Sequence, residues 1–296
     1  MITAPSPPQI APQAPLTPPL ATNRSRLAFW LSGALAVCSL VGSAAGAFIP
    51  SIFRDPAGTA GSAQGTCVVI LFGAIPTLLI AMIFAARGSF RAQLVWLGAV
   101  AYLVYNAIFF AFAVAFNSLF LVYIATLSFG VWSLVALLTS IDPGAIRARF
   151  DASTPRRTVA GYLAVAALAF TVLWLMDIIP ALISGGAPAS LAGTRMLTNP
   201  IQVVDLAFGN PLALVTVWLL WRKRAWGYAL AGLYTVYFTI ESASIATDQY
   251  FGHLSDPSQP ATAVPVFIGI TVIALTMAVS YLLGLHRAPN ENPLSA

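Results

Sequence analysis

Four carboxylic acids set in apolar sequence carry most of the chemical information in this chain: Asp177, Asp205, Glu241 and Asp248. Tyr234, Tyr237, Glu241, Ser244 and Asp248 follow one another at steps of 3, 4, 3 and 4, which places them on one stripe of a helix. Gln202, Asp205 and Gly209 share a second face, and Asn210-Pro211 after them predicts a kink. An acid held at mid-membrane costs about 2.5–3.5 kcal/mol even on the mildest scales, so these stripes must face a bundle interior or a wet vestibule. No Lys or Arg lies within 158–185, 200–221 or 227–249 to neutralise them. Crowded carboxyls in such surroundings are relieved by a shared proton or a bound cation. The pattern therefore points to uptake of a proton or small cation, or to binding of a basic small molecule. Asp177, Asp205 and Glu241 would bind, Tyr234, Tyr237 and Ser244 would supply hydroxyls, and Asp248 would sit at the rim. The plainer alternative is that these groups only make structural polar contacts.

The elements that must position them are eight apolar segments, near 27–49, 67–86, 94–116, 118–140, 158–185, 200–221, 227–249 and 263–285. Each approaches the ~20 residues that a helix needs to cross the hydrocarbon core. Apolar residues make up 59% of the chain and charged ones 8%, far below the roughly 25% of a soluble domain. The expected fold is an all-α polytopic membrane helix bundle of about eight transmembrane helices. With the N-terminus in the cytoplasm, twelve of the fourteen basic residues fall in cytoplasmic parts, and only Arg54 and Arg195 fall outside. Cationic loops resist translocation, so both termini are expected inside. The net charge of +5 is thus a topology signal, and no nucleic-acid partner is expected. Arg dominates over Lys and Ala is frequent, which suggests a bacterial protein of the inner or plasma membrane.

The first 23 residues hold seven of the 21 prolines and no charge, so 1–25 reads as a disordered cytoplasmic tail. A single membrane domain follows over 26–286, with a short cytoplasmic tail at 287–296. Inside that domain the landmarks recur. Arg26 precedes Pro50 by 24 residues and Arg157 precedes Pro180 by 23; Arg87 follows Pro76 by eleven, as Arg222 follows Pro211. The next segments carry Tyr102-Leu-Val-Tyr105 and Tyr234-Thr-Val-Tyr237. These coincidences predict a 4+4 parallel internal repeat, 26–140 and 157–286, related about the membrane normal. Ala47, Ile70 and Phe109 stand where the second half has Asp177, Asp205 and Glu241. The first half then reads as scaffold, with Asn106 and Asn117 as its main polar groups.

Other motifs are weaker. Asp248, His253 and Asp256 have metal-capable side chains without tight ligand spacing, so no metal is expected. Cys38 and Cys67 read as two small apolar residues, and Gly42-x-x-x-Gly46 as close helix packing. The run Tyr102, Tyr105, Phe109, Phe112 and Phe116 reads as core. With no phosphate loop, nucleophile elbow, zinc helix or redox Cys pair, neither an enzyme nor a cofactor is the first expectation. The competing functions are transport or sensing through the acidic pocket, a structural accessory subunit, and a lipid-modifying membrane enzyme.

The stretches Leu94-Val-Trp96-Leu-Gly98-Ala-Val-Ala-Tyr102-Leu-Val-Tyr105-Asn106, Ala115-Phe-Asn117-Ser-Leu-Phe120, Val204-Asp205-Leu-Ala-Phe208 and Arg224-Ala-Trp226-Gly227-Tyr228 resemble a widespread group of bacterial multi-pass membrane proteins of unknown activity. The resemblance covers about 67–250; it implies the membrane class and supplies no site residue.

The topology has a direct check. Single cysteines placed in 187–198 and 253–260 should label from outside intact cells, and those in 144–156 only after permeabilisation. Outside labelling of 144–156 would invert the orientation.

Overall fold

The computed structural model describes residues 23–151 and 154–285. The tail at 287–296 and all of 1–25 before Asn23 lie outside these residues. Eight long helices follow in order: α1 (Asn23–Phe48), α2 (Ala57–Ala86), α3 (Phe90–Phe112), α4 (Phe120–Ser140), α5 (Arg156–Ser184), α6 (Pro200–Trp221), α7 (Ala225–Ser255) and α8 (Ala263–Leu283). A six-residue helix, Pro143–Ala148, joins α4 to α5, and no strand occurs among the described residues. Seven of the long helices are apolar and long enough to cross a membrane. The chain is an integral, multi-pass, all-α membrane protein. The exception by composition is α7, whose Tyr, Thr, Ser and acidic residues dilute its hydropathy. At 31 residues it is about 46 Å long, and it packs against α2, α3, α6 and α8. Its polar groups are affordable because the bundle, not lipid, surrounds it. Lipid instead meets the apolar outer faces, where Trp30, Leu182 and Ile183 are more than 70% exposed.

Glycines set the close approaches. A methyl added at Gly65 of α2 would lie 2.6 Å from the Thr247 carbonyl oxygen of α7, and one at Gly98 of α3 2.5 Å from Val236 Cβ. Backbones pack this closely in a membrane because small residues let dispersion contacts replace the missing hydrophobic drive. Gly46 of α1 likewise rests on Phe53 and Cys67, which is the close packing the glycine spacing predicted. Polar clasps add to this: Trp96 Nε1 donates to Ser32 Oγ at 2.9 Å, and Ser32 meets Ser133, joining α3, α1 and α4.

Two features recur 135 residues apart. Both α2 and α6 contain a single π turn, Ile70–Ala74 and Asp205–Gly209, each followed by a proline in the next turn. Both helices then end the same way. Gly88 and Lys223 take left-handed φ values of 92° and 57°. Ser89 N donates to Phe84 O at 3.1 Å, as Arg224 N does to Leu219 O at 2.8 Å. That is a Schellman closure, made once with the glycine it favours and once with a lysine. We propose that a duplication of four helices underlies this recurrence. The halves meet along α3 and α7, where the repeat-equivalent Tyr105 and Tyr237 rings touch edge to face at 5.6 Å.

One end of the bundle gathers the Arg-rich connections. Arg91 donates to the Leu283 and Leu285 carbonyls, Phe150 stacks on Tyr228 and Tyr281, and Arg156 donates to the Tyr228 hydroxyl. At the opposite end, Asp55 accepts from the Ala115 amide at 3.0 Å. Gly65→Val should overpack the α2–α7 seam by about 1–3 kcal/mol and lower the melting temperature in detergent. Gly33→Ala, with no atom within 4 Å of the added methyl, should leave it unchanged or raised. Equal melting temperatures for the two variants would show that the seam is not tightly packed.

Candidate functional site

Asp205 and Glu241 reach the same level of the bundle for a simple reason. Asp205 stands sixteen residues before the end of α6 and Glu241 sixteen after the start of α7, so each lies about 24 Å from the Arg-rich end. Asp248 is two helical turns further along α7, about 10 Å beyond. Between α3, α5, α6 and α7 lies a cavity of about 660 Å³, and all three acids line it. Tyr234, Tyr237 and Ser244 line it too. Six of the seven residues singled out by the sequence are therefore brought together. The seventh, Asp177, is not among the lining residues.

Asp205 is 8% exposed and opens the π turn of α6. A π turn rotates the side chains that follow it relative to a regular helix, and such turns gather at functional places. Trp174 Nε1 of α5 donates to Asp205 Oδ2 at 2.7 Å, a charge-assisted length, and Tyr105 of α3 lines the same cavity. Glu241 Oε2 accepts from Asn106 Nδ2 of α3 at 3.2 Å. Asn106 also donates to the Tyr102 carbonyl, while the Tyr102 hydroxyl donates to Ser244 Oγ at 3.0 Å. Asp248 meets the neighbouring Gln249 amide at 3.1 Å. The Tyr234 hydroxyl donates to the Gly209 carbonyl, the last residue of the π turn, at 2.8 Å. The Tyr234 hydroxyl thus steadies the backbone that carries Asp205, while the residue also lines the cavity.

Asp177 lies one turn beyond Trp174 on α5. Its carboxylate accepts from Gln202 Nε2 at 2.7 Å and from the Ser190 amide at 3.2 Å, pinning the α5–α6 connection. It is the last rung of a ladder: Thr171 with Asn210 at 3.1 Å, Trp174 with Asp205, Asp177 with Gln202. Residues 171, 174 and 177 occupy one edge of α5 at helical spacing and meet an antiparallel α6.

The first half contributes more than scaffold. Asn106 binds Glu241 directly, Tyr102 holds Ser244 and Tyr105 lines the cavity, so α3 helps to build the acid site. Tyr105 and Phe109 line the cavity, whereas Phe112 and Phe116 are at least 70% exposed. Trp174 could have been suspected only from its position three residues before Asp177. In the outer connection, His253 Nδ1 pairs with the Gln259 carbonyl at 2.6 Å and Asp256 binds Ser258. Among the described residues no group of three or more His, Cys, Asp or Glu side chains could hold a metal ion. Both cysteines are free.

Asp177→Ala should free the connection while leaving the cavity acids in place. Tryptic cleavage after the exposed Arg195 should quicken about tenfold, which corresponds to ~1.4 kcal/mol of lost loop anchoring. Asp205→Asn should leave that cleavage unchanged; equal effects of the two variants would contradict the separate roles. No protein-family model, curated protein or solved structure matches this chain, so its own residues carry the functional argument.

Proposed function

We propose that this membrane protein links the binding of protons or cations in the cavity between α3, α5, α6 and α7 to transport or sensing. One observation supports the reading above all. The cavity lies among spanning helices and is lined by Asp205, Glu241 and Asp248, with no Lys, Arg or His among its lining residues. A site of that kind is electrostatically incomplete: at low dielectric an uncompensated carboxylate binds a proton or draws in a positive ligand. Trp174 and Asn106 donate neutral hydrogen bonds, which orient the carboxyls without cancelling their charge. Asp177 acts beside the site by holding the α5–α6 connection. With the Arg-rich end in the cytoplasm, the acids occupy the outer half of a bacterial inner membrane and take up their ligand from outside.

The test is reconstitution of the full chain into vesicles loaded with a pH-sensitive dye, with inward gradients of Na⁺, K⁺ or an organic amine imposed in turn. At least one gradient should drive proton movement through the wild type. Asp205→Asn and Glu241→Gln should each reduce it about tenfold or more, the scale of ~1.4 kcal/mol of lost charge interaction. An accessory protein would give monodisperse variants and no acid-dependent flux under any gradient, and that result would remove the proposal.

A further inference from the structure

We propose that the cavity binds a monovalent organic cation with an apolar body, such as a protonated or quaternary amine, in preference to an inorganic ion. This rests on the acidic-cavity reading above and specifies its ligand. The cavity volume, about 660 Å³, falls in the range of small-molecule sites rather than of ion sites. Inorganic cations need a shell of converging oxygens; Ca²⁺, for instance, takes six to eight at about 2.3–2.6 Å. The acids here are strung along the cavity. Asp205 and Glu241 lie at one level with Asp248 about 10 Å away, and no set of three His, Cys, Asp or Glu among the described residues could close on a metal.

The walls supply what an organic cation uses instead. A chain of rings runs Phe267, Phe170, Phe238, Tyr234, Tyr237, Tyr105, with successive centroids 6.5, 6.4, 5.8, 6.2 and 5.6 Å apart. All six line the cavity, and the chain ends at Tyr105, which shares that cavity with Asp205 and Glu241. Phe170 and Phe238 are nearly parallel, with 7° between their planes. Ring faces attract a cation poorly covered by water, and they accept its apolar substituents at the same time. Glu241 has one carboxylate oxygen engaged by Asn106, and among the described residues no protein donor meets the other. The arrangement is therefore an aromatic wall leading to an acid with capacity left over. A neutral apolar guest would be served by the rings alone and would leave the acids without purpose.

The experiment uses tritiated tetraphenylphosphonium as the probe, with the purified full chain in detergent and, as competitors added one at a time, triphenylphosphine oxide (neutral), triphenylphosphine monosulfonate (anionic), Na⁺ and K⁺. Saturable binding of the phosphonium is expected, displaced by unlabelled phosphonium and not by the neutral and anionic compounds. Asp205→Asn or Glu241→Gln should weaken it about tenfold or more, and Phe238→Leu about tenfold, with recovery in Phe238→Trp. The Trp variant separates ring chemistry from packing, and elution profiles report whether each variant is folded. Competition by the neutral oxide as effective as by unlabelled phosphonium would overturn the inference in favour of a greasy cavity for lipid tails. Absent phosphonium binding, alongside acid-dependent proton flux driven by Na⁺ or K⁺, would overturn it while leaving the proposed function standing. Acid substitutions that change neither flux nor binding would remove both.

Discussion

Burying carboxyl groups among spanning helices without a cationic partner among the described residues is the constraint around which this protein is arranged. In hydrocarbon each such group costs several kcal/mol, so the acids cannot face lipid and the helices that bear them must be interior or turned inward. That demand makes α7 central and α3 its companion. It also explains why α7 is too polar to register as a spanning helix by composition although it is the longest in the bundle. Packing follows from the same demand. Gly65 and Gly98 bring α2 and α3 close enough to α7 to exclude water from its other faces, leaving the acid stripe toward the cavity.

The two π turns show how one framework serves two ends. In α2 the turn begins with buried Ile70, which lines a small pocket with Ser39 of α1, Leu103 of α3 and Tyr123 of α4. In α6 the turn at the corresponding place begins with Asp205 and opens onto the cavity. A residue inserted into a helix moves every side chain beyond it around the axis, and a following proline keeps the ladder from healing. The proposed duplication therefore left the backbone device intact and changed the side chain it presents. The symmetry is broken where α6 faces α3: small residues line the α2–α7 seam, whereas bulky Val204 and Phe208 border the opened space.

Much of this could be read from the residues. The spacing of Tyr234, Tyr237, Glu241, Ser244 and Asp248 required one stripe and the cost of exposure turned it inward, whereas the level shared by Asp205 and Glu241 follows from the observed ends of α6 and α7. Three matters could not be read. Helices that are apolar on all sides do not declare which face meets which neighbour, so Trp174 gave no sign of being a partner of Asp205. Asp177 shares the depth and type of the other acids, yet one turn along α5 suffices to point it at Gln202 and Ser190 instead of the cavity. The π turns, finally, add one residue to a helical turn and leave no trace in composition.

The ladder between α5 and α6 has a consequence for how the bundle keeps its shape. In lipid, apolar surfaces slide over one another with little penalty, because tails solvate either position about equally well. Thr171 with Asn210, Trp174 with Asp205, and Asp177 with Gln202 form a toothed edge that is satisfied in a single phase. Shifting α6 by one turn would strand three polar pairs at once in a medium that offers no substitutes. The pair is thus keyed like a lock bar: its axial setting is fixed by a few polar teeth, and its outward apolar residues are free to vary. Sequence drift on the lipid side of α5 and α6 can then proceed without moving Asp205 from its place.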